Sequence, residues 1–214
     1  MGLLNEAASF FRVSRRHFHD VGAVLPSSRF LGRALASNLG QRTHPCRILE
    51  AGPGTGPVTK QILPYLLSGD QLDLVELNSE FVGHLQHRLE TEPAFTPHQK
   101  QVRILCMPIE RVEGVGVYDY IVSGLPLNNF SPELVREILR AFKRLLKPGG
   151  TLSYFEYAYI RQLKTPFCRR SERRRLSQVG RIVGNYIRRF QVRQQQVPFN
   201  VPPALVHHLR FQQS

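Results

Sequence analysis

The sequence predicts an α/β chain: a doubly wound, mostly parallel sheet of seven strands that ends in an antiparallel hairpin, preceded by an amphipathic helix. Three observations carry this. Short apolar runs alternate with helical patterns from residue 47 to residue 157. The first run, Cys46 to Gly56, reads C-R-I-L-E-A-G-P-G-T-G and closes on Gly52, Gly54 and Gly56, spaced by two. The second, Asp73 to Asn78, reads D-L-V-E-L-N and closes on Glu76. Glycines let the turn after a first strand pass close to a ligand with no Cβ in the way. An acid at the end of the next strand, about 20 residues on, can accept hydrogen bonds from both hydroxyls of a ribose. A tight turn with a surface Glu76 is the plainer alternative. Strand before, helix after and the acid's spacing favour the nucleoside site.

Size and composition narrow the classes. A chain of 214 residues with 42% apolar content suits one core with a modest extension. No stretch approaches the roughly 20 apolar residues of a membrane span. The N-terminus lacks the continuous apolar core and cleavage site of a secretory signal, so a cytoplasmic protein is expected. Cys46, Cys106 and Cys168 are odd in number and scattered, which argues against disulfides and a metal site. The net charge of +13 is the outlier. Residues 34–160 hold 12 Lys/Arg against 13 Asp/Glu, whereas residues 161–193 hold 11 basic residues and one acid, Glu172. Residues 1–33 hold five basic residues and two acids. The excess charge therefore lies in an N-terminal arm and a late basic insertion, about 161–189. Such polarity fits an anionic surface.

In chain order, residues 3–19 place Leu3, Leu4, Ala7, Ala8, Phe11 and Phe18 on one helical stripe, with Arg12, Arg15 and Arg16 opposite. A basic amphipathic helix at a free end can lie in a bilayer interface; docking on its own domain is the alternative. Gly22 and Pro26 break this arm, and Ser27 or Ser28 can cap a second helix carrying Phe30, Leu31, Ala34 and Leu35. Residues 1–37 are thus read as arm and cofactor lid, and 38–214 as the main domain. Strands are expected at about 47–51, 71–77, 101–106 and 117–123, then at T-L-S-Y-F-E-Y, 190–197 and 204–211. Helices are expected over 57–67, where Pro64 kinks or ends it, and from Asn78 or Ser79 through Leu89. Ser131-Pro132-Glu133 starts another, with cap, first-turn proline and acid in order. Lys147-Pro148-Gly149-Gly150 stops that helix, and a last one runs from Ser171 to about Tyr186. The fourth strand enters G-L-P-L-N-N-F, residues 124–130, at the switch point where ligands of such sheets sit.

The glycine spacing selects the cofactor. A dinucleotide fingerprint is G-x-G-x-x-G with a helix N-terminus facing a pyrophosphate; here it is G-x-G-x-G behind acidic Glu50. A carboxylate there suits a cationic ligand. E-x-G-x-G-x-G followed by V-E-L resembles the Rossmann-like class I methyltransferases that use S-adenosyl-L-methionine (SAM). The likeness extends over nearly the whole chain in one group, the bacterial phospholipid N-methyltransferases and their relatives that methylate ornithine lipids. It is carried by G-A-V-L-P-S-S-R-F-L (22–31), I-L-E-A-G-P-G-T-G (48–56), L-V-E-L-N (74–78), Y-D-Y-I-V-S-G-L-P-L-N-N-F (118–130) and Y-F-E-Y (154–157).

That resemblance implies a peripheral enzyme at the inner face of the cytoplasmic membrane, methylating the amine of a membrane aminolipid, with an anionic membrane surface as its partner. No nucleic acid and no obligate protein partner are expected, and no metal. Glu50, Gly52, Gly54, Gly56, Glu76, Leu77 and Asn78 are the expected cofactor residues. Ser123 and Leu125 should face the methyl donor, their carbonyls orienting the amine, and Tyr157 leads Tyr159 and Glu156 as a group acting on its proton. The acid that often meets the adenine amino group is unassigned, because Cys106-Met107-Pro108 stand where it is sought. An rRNA adenine dimethylase is the nearest rival. Such enzymes carry an aromatic ring in the loop after the fourth strand, where this chain has Leu127, and the ending at the last strand is read as leaving no appended RNA-binding domain. A non-catalytic basic membrane module is the other, opposed by the intact acid and glycines.

Overall fold

The structure is a computed structural model, and it describes residues 28–158 and 170–211. The arm expected over 3–19 and Tyr159 lie outside the described residues. Helix α1, Arg29–Ala36, is capped by Ser28, whose Oγ accepts from the Leu31 amide at 3.2 Å. Strand β1, Arg47–Ala51, leads through the glycine turn into α2, Thr59–Ile62. Pro64 then tightens the chain into a 3-10 turn, Leu63–Tyr65, so the helix expected over 57–67 is a short one. A proline has no amide to continue the ladder. There follow β2, Gln71–Glu76, α3, Ser79–Thr91, β3, Val102–Cys106, and β4, Tyr118–Ser123. Helix α4, Pro132–Leu145, starts on Ser131, whose Oγ accepts from the Leu134 amide at 3.3 Å. Strand β5, Leu146–Tyr157, follows with no connector, because Leu146 already pairs with Tyr118 ahead of the Gly149-Gly150 bulge. Last come α5, Arg170–Phe190, then β6, Gln191–Val197, and β7, Ala204–Arg210.

The seven strands run in the order β3-β2-β1-β4-β5-β7-β6. All neighbours are parallel up to β5, and β7 is antiparallel to both β5 and β6. This is the Rossmann-like, terminal-hairpin sheet expected. Each face of the sheet carries its own apolar core. On one face Leu49, Ile121, Leu152 and Tyr154 pack against Val135, Ile138 and Phe142 of α4 and Val179 and Val183 of α5. On the other, Ile48, Leu72, Leu74, Val122, Phe155 and Val206 meet Leu31 and Leu35 of α1, Ile62 of α2 and Leu85 of α3. Alternation along the strands divides the two sets. Burying one such Leu or Phe stabilises the fold by about 1.5–3 kcal/mol. No helix among the described residues is long and apolar enough to cross a membrane.

The topology fixes where a ligand can sit. Strand order reverses between β1 and β4, so the turns leaving their C-terminal ends diverge and open a crevice. Register sets the neighbours at that edge: Ala51 lies beside Val75 and Ser123, and Ser123 beside Tyr154.

Candidate functional site

The glycine turn is built for close approach. Gly52, Gly54 and Gly56 have φ of 69°, 58° and 84°, which L side chains rarely adopt. Each serves differently. Gly52 donates to the Val75 carbonyl at 2.9 Å, and a Cβ on it would strike the Leu125 side chain. Gly124 lies against it, since a Cβ there would stand 2.7 Å from the Gly52 carbonyl oxygen. A Cβ on Gly54 would meet nothing within 4 Å, so this residue borders open space. Gly56 faces α3, where a Cβ would come within 2.9 Å of Arg88 and 3.0 Å of Leu85.

Glu76 ties this turn to the next strand. Its Oε2 accepts from the Gly54 amide at 3.0 Å and its Oε1 from the Asn78 amide at 2.9 Å. It is buried, and burial raises its pKa against the opposing pull of the Asn78, Gly54 and Leu77 amides. Asn78 also caps α3, its Oδ1 accepting from the Glu80 amide at 2.9 Å. Glu50 is fully buried beneath the turn. Its Oε2 accepts from the Thr59 hydroxyl at 2.7 Å, and its Oε1 has no hydrogen-bond partner among the described residues. Burial pushes its pKa up to about 8, opposed by the Thr59 hydrogen bond and reinforced by Glu76.

A cleft of about 370 Å³, open to solvent, lies along this edge. Gly52, Val75, Leu77, Leu125, Phe130, Leu134 and Ile138 line it. Met107, Pro108, Ile109 and Glu110 complete the lining. Of the residues expected from sequence, Gly52, Leu77 and Leu125 line this cleft directly. Gly54, Glu76 and Asn78 are joined to it by hydrogen bonds, with Glu50 behind. Ser123 is buried, and its Oγ accepts from the Leu125 amide at 3.3 Å, which fixes the start of the 124–130 loop. Tyr157 ends β5, packs edge-on against Phe155 at 5.1 Å, and is not among the cleft's lining residues. Burial raises its pKa, so it is a neutral phenol at neutral pH.

Two features escaped sequence reasoning. Glu110 reaches the cleft wall from a 3-10 turn, Ile109–Arg111, and burial raises its pKa. It stands four residues past β3, and Pro108 just before that turn was the available signal. Arg175 of α5 does not face solvent with its neighbours. Its Nη1 donates to the Asn128 and Phe130 carbonyls at 2.8 and 2.9 Å, clamping the 124–130 loop.

A family model described as a methyltransferase domain matches residues 49–152, which hold the glycine turn, Glu76 and β4. An ornithine lipid N-methyltransferase from Singulisphaera acidiphila is 30% identical over 138 residues, which span 64% of this chain and 71% of that protein. The chain belongs to the bacterial phospholipid and ornithine lipid N-methyltransferase family. As a member of that family it is a class I methyltransferase that uses SAM. A ribosomal RNA small subunit methyltransferase A from Pseudomonas putida is 36% identical over 117 residues, spanning 52% of this chain and 39% of that protein. Among solved structures, a 1,6-didemethyltoxoflavin-N1-methyltransferase from Burkholderia thailandensis, with its substrate and S-adenosylhomocysteine bound, has a TM-score of 0.63 at 19% identity. That match covers 100% of this chain and 92% of the other, and it supports the shared fold.

The residues present fit SAM. Gly54 leaves a space that a Cβ would enter, Glu76 is held rigid with acceptor capacity for hydroxyls, and Glu50 offers an unpaired buried oxygen to a cation. These are the donors and acceptors that a ribose and an amino-acid ammonium require.

Proposed function

We propose that this methyltransferase transfers a methyl group to the head-group amine of a membrane aminolipid, an ornithine lipid or phosphatidylethanolamine, while bound peripherally to the inner face of the cytoplasmic membrane. The observation that carries the reading is the similarity to the ornithine lipid N-methyltransferase of Singulisphaera acidiphila, which extends over 71% of that protein. Charge supports it: the basic residues concentrate in two segments beside a near-neutral core, as a protein working on an anionic bilayer requires. Residues 1–37 serve as membrane arm and lid in this scheme, anchored by α1 in the core, and 38–214 as the catalytic domain.

SAM would supply an activated methyl, so the chain's task is to position a free amine in line with it, the ammonium proton having passed to water before transfer. Gly52, Gly54, Gly56, Glu76, Leu77, Asn78 and Glu50 hold the cofactor, Glu76 on the ribose. Glu110 is the acid at the cleft wall available to an exocyclic amine. The carbonyls of Ser123 and Leu125 orient the nucleophile; that of Leu125 already accepts from the Leu127 amide at 3.0 Å and keeps one lone pair. An alkylamine near pKa 10 arrives mostly protonated. Tyr157, kept neutral by burial and packed on the face of the sheet opposite the cleft, is not the base; it offers a phenol only at the open end of β5.

A nucleic-acid substrate is disfavoured by the loop itself. Leu127 is buried at 2% exposure and cannot stack on an extruded base. The test is methyl transfer from labelled SAM into lipids of hosts that make phosphatidylethanolamine alone or with ornithine lipid. Label is expected in the aminolipid fraction. Label in ribosomal RNA, with none in either lipid, would overturn the proposal.

A further inference from the structure

The edge that carries the cleft continues into an apolar projection. Strand β7 is antiparallel to β5, and its first residue, Ala204, pairs with Tyr157. The 198–203 turn between β6 and β7 therefore stands at the same end of the sheet as Gly52 and Ser123. Helix α1 begins there too. The Ser28 amide donates to Asn200 Oδ1 at 3.2 Å, and the rings of Phe30 and Phe199 lie 5.8 Å apart. Phe199 is 76% exposed, Val201 67% and Phe30 39%.

The tip is a fixed frame. Asn200 is buried; its Nδ2 donates to the Pro202 carbonyl at 2.7 Å and its amide to the Val197 carbonyl at 3.3 Å. Polar bonds thus hold the turn from inside while its apolar side chains face out. The other large apolar side chains that stand exposed among the described residues, Val115 and Val192, precede or begin strands at the opposite edge. The two segments that meet at the tip carry charge of one sign. The sequence has no Asp or Glu in residues 21–49 or 173–214, and the Arg29 guanidinium lies 5.0 Å from the Phe30 ring centre. Aromatic and branched side chains beside arginine match the interface of an anionic bilayer, where rings settle at head-group depth and guanidinium groups meet phosphate; Glu156 of β5, in register with Leu205, is an acid at the base of the hairpin.

We propose that the 198–203 hairpin tip, with Phe30, is a membrane-docking surface that inserts into an anionic bilayer and turns the cofactor cleft toward the lipid head groups. The docking rests on the aminolipid reading only for its purpose, and it can be measured without turnover. Strand β5 lies between β4, whose following loop lines the cleft, and β7 of the tip, so a head group entering there stays near the lipid surface.

The chain contains no tryptophan, so Phe199→Trp and Val115→Trp each introduce a sole indole reporter, one at each edge. With vesicles of phosphatidylglycerol and phosphatidylethanolamine, Phe199→Trp should shift to the blue and be quenched by brominated acyl chains, and Val115→Trp should do neither. Phe199→Asp with Val201→Asp should weaken vesicle partitioning by about tenfold. The same variant should keep its turnover on a short-chain aminolipid dispersed in detergent. An unshifted Phe199→Trp on vesicles that do sediment the protein overturns the proposal, since docking then uses another surface. A Phe199→Trp already blue-shifted in the free protein also overturns it, because the tip is then covered by the chain or by a second copy. Loss of lipid methylation in both presentations with the indole shift intact refutes the aminolipid reading and supports the docking.

Discussion

At the scale of single residues, Glu50 has a consequence for the free protein. Its folded pKa, pushed up to about 8, exceeds that of an unfolded glutamate, so the folded chain holds a proton that the unfolded chain releases. The stabilisation is full below the unfolded pKa and is lost as pH rises through the folded one. Thermal unfolding of the cofactor-free protein should therefore show falling stability between about pH 5 and 8. Glu50→Gln should flatten that slope; an unchanged slope would place the proton elsewhere. Pairing with a cation requires the carboxylate, so SAM binding at pH 7 should release a proton, measurable by calorimetry in two buffers of different ionisation heat. Gly54 gives a sharper test. A Cβ at this φ costs about 1–2 kcal/mol but meets no neighbour. Gly54→Ala should fold and fail to bind SAM, whereas Gly52→Ala should also disturb Leu125. Spacing made Gly52, Gly54 and Glu76 legible in the sequence. It could not separate Gly54, which faces open space, from Gly56, which packs on α3, because both need the same left-handed backbone.

At the scale of elements, α5 joins two roles that composition merged. Arg170 and Arg174 are exposed, whereas Arg175 holds two carbonyls of the loop that follows β4. Arg175→Ala leaves both carbonyls without that donor, at about 1–3 kcal/mol for a buried acceptor, and should lower the melting temperature by a few degrees. It should reduce kcat more than it alters SAM affinity. Arg174→Ala should leave kcat on dispersed substrate unchanged and touch only vesicle binding. A run of arginines signals charge, but which one turns inward depends on the phase of the helix against α4, and Leu176, Val179 and Val183 set that phase. Strand and helix order was readable because capping residues and glycines punctuate it; Ser131 caps as expected, and Ser28 and Asn78 are the caps used where the pattern left Ser27 or Ser28 and Asn78 or Ser79 open. The helix after β1 was overread because its apolar pattern outlasts the hydrogen-bond ladder that Pro64 ends.

At the scale of the molecule, the charge of +13 is set against residues 34–160, whose signs nearly balance. Attraction to a bilayer should then be strongly screened. Raising ionic strength from about 0.1 M to 1 M shortens the Debye length from about 10 Å to 3 Å, and sedimentation with anionic vesicles should fall accordingly. SAM binding, set in buried contacts, should change little. Removing residues 1–19 should weaken sedimentation more than SAM affinity, and equal retention on vesicles would sink a membrane role for that segment. The hairpin tip was not legible as a surface in the sequence. P-F-N-V-P-P reads as an ordinary turn, and only the antiparallel pairing of β7 with β5 brings it to the edge where Phe30 starts α1.

The cysteines of the described residues differ in a way that serves optical work. Cys46 is half-buried, and burial pushes its thiol up to about 12, so it resists alkylation at neutral pH. Cys106 is exposed at the end of β3, next to Met107 of the cleft wall. In a Cys168→Ser background, a maleimide dye should attach at Cys106 alone, and its emission should change as the cleft fills. Such a label would time the arrival and departure of the cofactor within one catalytic cycle.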